Sequence, residues 1–144
     1  MKIAIFEDSF QDLKRRYGGL VENYELLIHF YGFDYNPKNT IWSPTLGKRI
    51  PMFEFMLRED GFKEFSITED FPRTLREIPQ ADLYFTDGLE GDCFSLLELL
   101  PADRSFAYTN NPRIRDRLCA EGKTVLEYEW DLARVMGQVR KRIR

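Results

Sequence analysis

Residues 81–92 read ADLYFTDGLEGD, a short apolar run that ends in Asp87 and Gly88. A run of this length that stops at a turn signal is typical of a strand buried inside a sheet. Asp-Gly is one of the commonest turn signals, so Asp87 is either the polar end of a strand or a working carboxylate. The choice depends on which other acids the fold brings to the same edge.

Similar apolar runs recur along the chain and alternate with helical patterns. Besides 81–86, the strand-like segments are KIAIF (2–6), FKEFSIT (62–68), SFAYT (105–109) and KTVLEY (123–128). This alternation predicts an α/β fold, a doubly wound sandwich in which a five-stranded parallel sheet has helices on both faces. With 144 residues, the chain is expected to form a single domain over 1–144.

The segment after the first strand has a helical pattern. Apolar residues recur at helical spacing over 13–28, which predicts one helix there. Gly18 and Gly19 mark a point at which this helix could bend or break.

No steady period is visible over residues 31–50, which contain two prolines and two glycines. We interpret this stretch as an irregular insertion, with Trp42 attaching it to the body of the domain. Short helices are then expected to begin at Pro51 and at Pro72, since proline is favoured in a first helical turn.

Composition argues against several classes of function. The chain has 21 Lys and Arg against 24 Asp and Glu, a net charge of −3, so no nucleic-acid partner is expected. The basic residues over 140–144 are interpreted as the charged end of the last helix. Apolar stretches are too short to cross a bilayer, which predicts no membrane partner and a cytoplasmic location.

Cysteine and histidine give no sign of a metal centre. Cys93 and Cys119 lack CxxC spacing and are interpreted as reduced thiols. His29, the only histidine, lies in the apolar run YELLIHFYGF, where a packed structural role is expected.

Acids follow two of the predicted strands. Glu7 and Asp8 end the first strand, and Asp87 ends the third. Ligands of open parallel sheets bind outside the carboxyl ends of the strands, so these acids would share one functional edge. Their mutual repulsion needs a cation or a proton, and Mg²⁺ prefers oxygen ligands of this type. The sequence therefore predicts a Mg²⁺ site at Glu7, Asp8 and Asp87.

Three short motifs in this order resemble the response-regulator receiver domain: IFEDS, DLYFTDG and YTNNP, each at a strand end. The resemblance covers residues 1–16 and 62–142 and implies a flavodoxin-like fold. It implies that Asp8 with Glu7 and Asp87 hold Mg²⁺. Asp87 would then accept a phosphoryl group from a partner histidine kinase or phosphotransfer protein, and Thr109 would be the switch hydroxyl.

The end of the fifth predicted strand departs from the receiver pattern. That family has a lysine there to pair with the phosphate, whereas this chain reads VLEYEWD, with Lys123 at the beginning of the strand. An acid such as Glu127 or Glu129 in that place would repel a phosphate. Tyr128 and Trp130 are candidates for a protein interface as well as for the core.

Two receiver-like interpretations follow. One is a phosphorylatable receiver; the other, slightly favoured, is a pseudo-receiver that has lost the reaction and signals by binding another signalling protein. A homodimer is compatible with both. The alternative is a Mg²⁺-dependent phosphatase or nuclease that uses the strand-end acids, although IFEDSFQD lacks the Asp-x-Asp of such sites.

Overall fold

A computed structural model describes residues 1–32, 36–126 and 132–138. The fold is mixed α/β and Rossmann-like, with a six-stranded parallel sheet and a separate two-stranded hairpin. In chain order the strands are β1 Lys2–Glu7, β2 Glu25–Tyr31, β3 Thr40–Ser43, β4 Lys48–Pro51, β5 Glu64–Thr68, β6 Leu83–Thr86, β7 Ser105–Tyr108 and β8 Val125–Leu126. The helices are α1 Phe10–Tyr17, α2 Met52–Glu59, α3 Cys93–Leu99, α4 Pro112–Ala120 and α5 132–138.

The order of strands in the large sheet is β5-β2-β1-β6-β7-β8. This is the 3-2-1-4-5-6 order of Rossmann sheets, and without the edge strand β5 it is the flavodoxin-like order 2-1-3-4-5. In both descriptions the chain first adds strands on one side of β1 and then, from β6 onward, on the other side. Ligand sites in such sheets lie at this switch point, next to the carboxyl ends of the two strands.

The prediction of five strands is wrong because β2 was assigned to a helix. The predicted helix over 13–28 ends at Tyr17, and the chain continues through a 3-10 turn at Gly18–Leu20 into β2. The two glycines favour a break there, since glycine has low helix propensity. The segment ELLIHFY then pairs with β1 on one side and with β5 on the other. A central strand of this kind is apolar on both faces, so its sequence is a nearly continuous apolar run. Such a run also fits the spacing of apolar residues in a helix.

The insertion is more regular than its sequence predicts. Its first expected residue, Tyr31, still belongs to β2, and its second half forms the antiparallel hairpin of β3 and β4. Trp42 is 52% exposed, so the expectation that it attaches the insertion to the body is wrong. The side chain points away because Trp42 lies on the outer face of a two-stranded ribbon, where alternate residues face opposite sides.

Of the two short helices expected to begin at proline, the first is confirmed. Met52–Glu59 forms α2 directly after Pro51. After Pro72 the structure has a single 3-10 turn, Leu75–Glu77, in place of the second helix. Leu75 in that turn is 67% exposed, so the segment has no buried apolar face to hold a longer helix.

Helices cover both faces of the sheet, as predicted. Alternate residues of β1 belong to two separate apolar clusters, Ile3 and Ile5 to one and Ala4 and Phe6 to the other. The first cluster includes residues of α1, α2 and α5, and the second includes residues of α3 and α4. β1 is therefore buried on both sides, which fixes its end at the centre of the carboxyl edge.

The described helices do not include one that is both long enough and apolar enough to span a bilayer.

Cys93 and Cys119 are free thiols, the first buried and the second exposed. The His29 ring stacks on Phe6 at a centroid distance of 4.9 Å, and its Nδ1 lies 3.2 Å from the hydroxyl of Ser66. Burial lowers the pKa of His29, which agrees with a packed structural role.

Candidate functional site

The strand-end acids are placed by the pairing of β1 with β6. The two strands are parallel, with Phe6 opposite Thr86, and the Asp87 N–H continues the ladder by donating to the Phe6 carbonyl at 2.9 Å. Glu7 and Asp87 therefore leave adjacent strands at the same edge. The Glu7 side chain is fully buried, whereas that of Asp87 is 15% exposed.

A buried arginine binds both of these acids. Arg16 Nη1 donates to Glu7 Oε2 at 3.0 Å and to Asp87 Oδ1 at 3.0 Å. The same atom donates to the Tyr108 carbonyl at 2.9 Å, and the guanidinium lies over the Tyr108 ring at 4.5 Å from its centroid. With a side chain only 1% exposed, Arg16 is a built-in counter-ion that joins the ends of β1, β6 and β7.

Arg16 reaches this place because of the way α1 begins and packs. The Ser9 hydroxyl caps the helix by accepting from the Asp12 N–H at 3.3 Å. Leu13, Arg16 and Tyr17 are the buried residues of α1, and positions three and four apart share one helix face. Arg16 was not predicted from the sequence as a member of the site. The only indication in the sequence was that Arg16 lies between Leu13 and Tyr17, two apolar residues on one face of the helix.

A fourth acid, Asp12, also belongs to the cluster and was missed. One carboxylate oxygen from each of Glu7, Asp12 and Asp87 lies within 4.8 Å of the others. Asp12 Oδ2 is 3.8 Å from Arg16 Nη2, an atom that has no hydrogen-bond partner. Since Arg16 lies one helical turn after Asp12, the two side chains reach the strand ends together.

Burial and the charges of neighbouring acids raise the pKa values of two acids of the cluster, Glu7 and Asp8. Burial, then the charge of Asp87, raises the pKa of Glu7 to about 9, although Arg16 acts in the opposite direction. Burial, the charge of Asp87 and a hydrogen bond with its carboxyl raise the pKa of Asp8 to about 6. Burial alone would lower the pKa of Arg16, but Glu7 and Asp87 outweigh it and raise it, so the guanidinium stays charged.

The contacts of Glu7 bear directly on the predicted Mg²⁺ site. Glu7 Oε1 accepts from the N–H groups of Asp8 and Ser9, at 3.1 and 3.3 Å, while Oε2 accepts from Arg16. Both oxygens of Glu7 are thus engaged by protein donors. Asp87 is engaged in a similar way, by Arg16 at Oδ1 and by the Leu89 N–H at Oδ2. A metal ion at this edge would share the Asp87 carboxylate with these donors and would add Asp8 and Asp12, which line the adjoining pocket.

The pocket beside the cluster has a volume of about 240 Å³. Asp8, Asp87 and Thr109, three of the residues singled out in the sequence, line the same space. Thr109 follows β7 and is 3% exposed, and its hydroxyl accepts from the Asn111 N–H at 3.2 Å. Asn111 in turn caps α4. Thr109 is thus held by the turn that begins α4.

The backbone after Asp87 is strained. Leu89 and Glu90 have φ angles of 49° and 56°, in the left-handed region that side chains other than glycine rarely adopt. Such strain persists only where the surrounding structure enforces it, and it is often found at functional sites. Here the Leu89 side chain is fully buried, which holds the turn in place.

Gly88 fits tightly between Asp87 and the pocket wall. A Cβ atom at this position would lie 2.9 Å from Thr109 Oγ1 and 3.0 Å from Ile114 Cδ1. We expect Gly88→Ala to lower the free energy of unfolding by about 1–3 kcal/mol, as overpacking does in well-packed sites. Urea denaturation followed by circular dichroism measures the change.

The matched control is Gly19→Ala, because a Cβ atom there meets no atom within 4 Å. This control should leave stability unchanged or slightly raised, since alanine restricts the unfolded chain. Equal losses for the two variants would contradict a close approach of Gly88 to Thr109.

The end of the last predicted strand, KTVLEY (123–128), and the residues directly after it lie outside the described residues. They include Glu127, Tyr128, Glu129 and Trp130, and the basic residues over 140–144 are also outside. The structure describes β8 as Val125–Leu126, paired with β7. The consequences drawn from VLEYEWD therefore stay predictions.

No protein-family model matches this chain, and no curated protein matches it. Among solved structures, the chain is similar to 2-dehydropantoate 2-reductase from Methylococcus capsulatus, with 15% identity and a TM-score of 0.42. The match covers 87% of this chain and 39% of the reductase, so the chain spans well under half of that protein. A TM-score this low carries no inference about function.

Proposed function

We propose that this chain is a receiver-like signalling module, a pseudo-receiver that acts by binding another signalling protein. The observation that carries this proposal is the bridge of Arg16 between Glu7 and Asp87, at 3.0 Å to each carboxylate. Arg16 is a permanent internal cation that occupies Asp87 Oδ1. A receiver of the phosphorelay type would leave this oxygen free for a metal ion or a phosphoryl group. A cytoplasmic location is part of the same proposal.

The electrostatics of the cluster support a binding role over a reaction. Glu7 keeps its proton at neutral pH because its pKa is raised to about 9, but Asp8, Asp12 and Asp87 still outnumber the one buried guanidinium, so an incoming phosphoryl group would meet an excess of negative charge. The buried carboxylates would repel it unless further cations were bound. In this proposal the cluster stabilises the carboxyl edge of the sheet, and the edge presents a surface to a partner.

A second candidate function is phosphorelay, with Asp87 as the phosphoacceptor and Thr109 as the switch hydroxyl. It is favoured by the common pocket that Asp8, Asp87 and Thr109 line. The donor would be a histidine kinase or a phosphotransfer protein, and Mg²⁺ held by Asp8, Asp12 and Asp87 would offset the charge of the phosphoryl group. Arg16 would then act as the cation next to Asp87, on the strand side of the pocket.

Acetyl phosphate with Mg²⁺, followed by intact-mass measurement, separates the two candidates. For a pseudo-receiver we expect no phosphoryl adduct on the wild-type chain. An adduct that disappears in Asp87→Asn would contradict the pseudo-receiver and establish the phosphoacceptor. Asp82→Asn is the matched control, because Asp82 is an exposed acid at the opposite end of β6, where it accepts from the Lys2 N–H.

The same preparation tests the enzyme alternative. Turnover of a generic phosphatase or nuclease substrate that requires Mg²⁺ and is lost in Asp87→Asn would overturn both receiver-like interpretations.

A further inference from the structure

The tip of the β3–β4 hairpin carries uncovered apolar side chains. This hairpin tip, residues 42–49, consists of the end of β3, the turn and the beginning of β4. Four large hydrophobic side chains are exposed in the part of the chain that the structure describes, and two of them, Trp42 and Leu46, belong to the tip. A third, Met56, lies on α2, which contacts both hairpin strands. Such concentration marks an interaction site more than scattered apolar residues would.

The hairpin has a charge opposite in sign to that of the whole chain. Residues 36–51 contain three basic residues, Lys38, Lys48 and Arg49, and no acid, whereas the chain has a net charge of −3. All three basic residues are exposed, and within the described residues none of them forms an ion pair. Arg49 donates to the hydroxyl and the carbonyl of Thr40, which are neutral groups, so its charge is not compensated. The hairpin is therefore a cationic patch on an acidic protein.

The apolar and the basic side chains of the tip lie side by side. Trp42 and Arg49 are cross-strand partners, and residues directly opposite in antiparallel strands share a face. The other face contains Ser43 and Ile50, which are 4% and 3% exposed and so contact the body of the domain. Trp42 is 52% exposed on the outer face, and Leu46 is 40% exposed in the turn directly after β3. The outer face therefore presents an indole ring next to a guanidinium.

We propose that the hairpin tip is a docking surface for an anionic lipid bilayer. In this proposal Trp42 and Leu46 enter the headgroup region, and Lys48 and Arg49 attract the anionic headgroups. Tryptophan is enriched at the interface between membrane and water, where its amphipathic ring is stable. Binding to a membrane surface depends on buried apolar area together with attraction to anionic lipids, and the tip offers both.

An anionic bilayer matches these residues better than another polyanion does. Binding to single-stranded nucleic acid depends on aromatic rings that stack on bases, and Leu46 has no ring. In the headgroup region an aliphatic side chain gains from burial as an aromatic one does. A fluid lipid surface also receives both side chains without a preformed pocket.

This contact differs from the membrane partner that the sequence argued against. That prediction depended on apolar stretches too short to cross a bilayer, and a contact with the surface needs no such stretch. The proposal is also independent of the receiver-like function, because no residue of the tip belongs to the acid cluster at the carboxyl edge.

Co-sedimentation with large unilamellar vesicles tests the proposal. The wild-type chain should bind vesicles of phosphatidylcholine with about one-third phosphatidylserine about tenfold or more tightly than vesicles of phosphatidylcholine alone, since each basic residue near an anionic surface strengthens binding. The measurement is made at physiological ionic strength, because charges more than about 8 Å apart are then largely screened and the acids of the body oppose binding less.

Two substitutions in the tip separate its apolar and electrostatic parts. Trp42→Ala and Lys48→Glu should each weaken binding to the anionic vesicles by about fivefold or more. Leu75→Ala is the control for the first, since Leu75 is 67% exposed outside the hairpin. Lys63→Glu is the control for the second, because it makes the same change in net charge at an exposed lysine directly before β5. Both controls should change binding by less than about twofold, and circular dichroism confirms that each variant is folded.

Quenching of tryptophan fluorescence by brominated lipid reports which ring enters the bilayer. The chain has two tryptophans, Trp42 and Trp130, so quenching should occur in the wild-type chain and disappear in Trp42→Phe. Quenching that persists in Trp42→Phe overturns the proposal, and so does a wild-type chain that does not bind the anionic vesicles. Equal weakening by Lys48→Glu and Lys63→Glu would mean that overall charge governs binding and would overturn it as well.

Discussion

Replacing Arg16 with methionine should lower the free energy of unfolding by about 3–5 kcal/mol at neutral pH, the usual cost of breaking a buried ion pair. Methionine retains an apolar stem of similar length, so the loss reports on charge and hydrogen bonds more than on packing. Glu7, Asp87 and the Tyr108 carbonyl all lose the donor that Arg16 Nη1 supplies. Urea denaturation followed by circular dichroism gives the change directly.

The neighbouring Arg15 offers a matched control on the same helix. Its side chain is 47% exposed and pairs with Asp12 at 2.8 Å, so Arg15→Met should cost less than about 1 kcal/mol. The double variant Arg16→Met with Asp87→Asn should recover part of the loss, since it removes the carboxylate that Arg16→Met leaves without its cation. An Arg16→Met that costs no more than Arg15→Met would show that Arg16 is not the counter-ion of the cluster.

The strand-end acids of the site were predictable from the sequence, whereas Asp12 and the cation were not. Glu7 and Asp87 follow short apolar runs, and parallel strands place their carboxyl ends at one edge. Arg16 belongs to the helix that follows, and charged residues on helices are usually exposed. Only its place between Leu13 and Tyr17 on the buried stripe indicated otherwise.

The fold was predicted in outline and misjudged at one strand. β6 and β7 are short apolar runs that end at turn signals, and the structure confirms both as strands. β2 has a similar composition, but the apolar residues of α1 precede it at a spacing that continues across Gly18 and Gly19. Periodicity alone does not separate a buried strand from a buried helix over so short a run. The error removed one central strand from the predicted sheet.

The free energy of unfolding of the wild-type chain should fall as the pH rises from 4.5 to about 9. Over this range Glu7 keeps its proton in the folded state, because its pKa is raised from 4.5 to about 9, and has lost it in the unfolded chain. Folded Glu7 retains a proton that the unfolded chain gives up at its ordinary pKa, so the folded state binds more protons throughout this range. Stability then decreases with pH, by at most about 1.4 kcal/mol per pH unit. Asp8 contributes with the same sign between 3.8 and about 6. His29, whose pKa is lowered by burial, contributes with the opposite sign below its ordinary pKa of 6.5, so the fall due to Glu7 is clearest above that pH.

Glu7→Gln isolates the contribution of Glu7, because glutamine imitates the protonated acid at every pH. We expect the variant to have a much flatter dependence of unfolding free energy on pH above 6, where Asp8 has finished its own contribution. The slope is the diagnostic quantity, since the amide also changes the hydrogen bonds with Arg16 and shifts the whole curve. Glu22→Gln, at an exposed acid, should keep the wild-type slope. A wild-type curve that is level or rises over this range would mean that Arg16 keeps Glu7 ionised, and the cluster would then carry a larger negative charge against any phosphoryl group at Asp87.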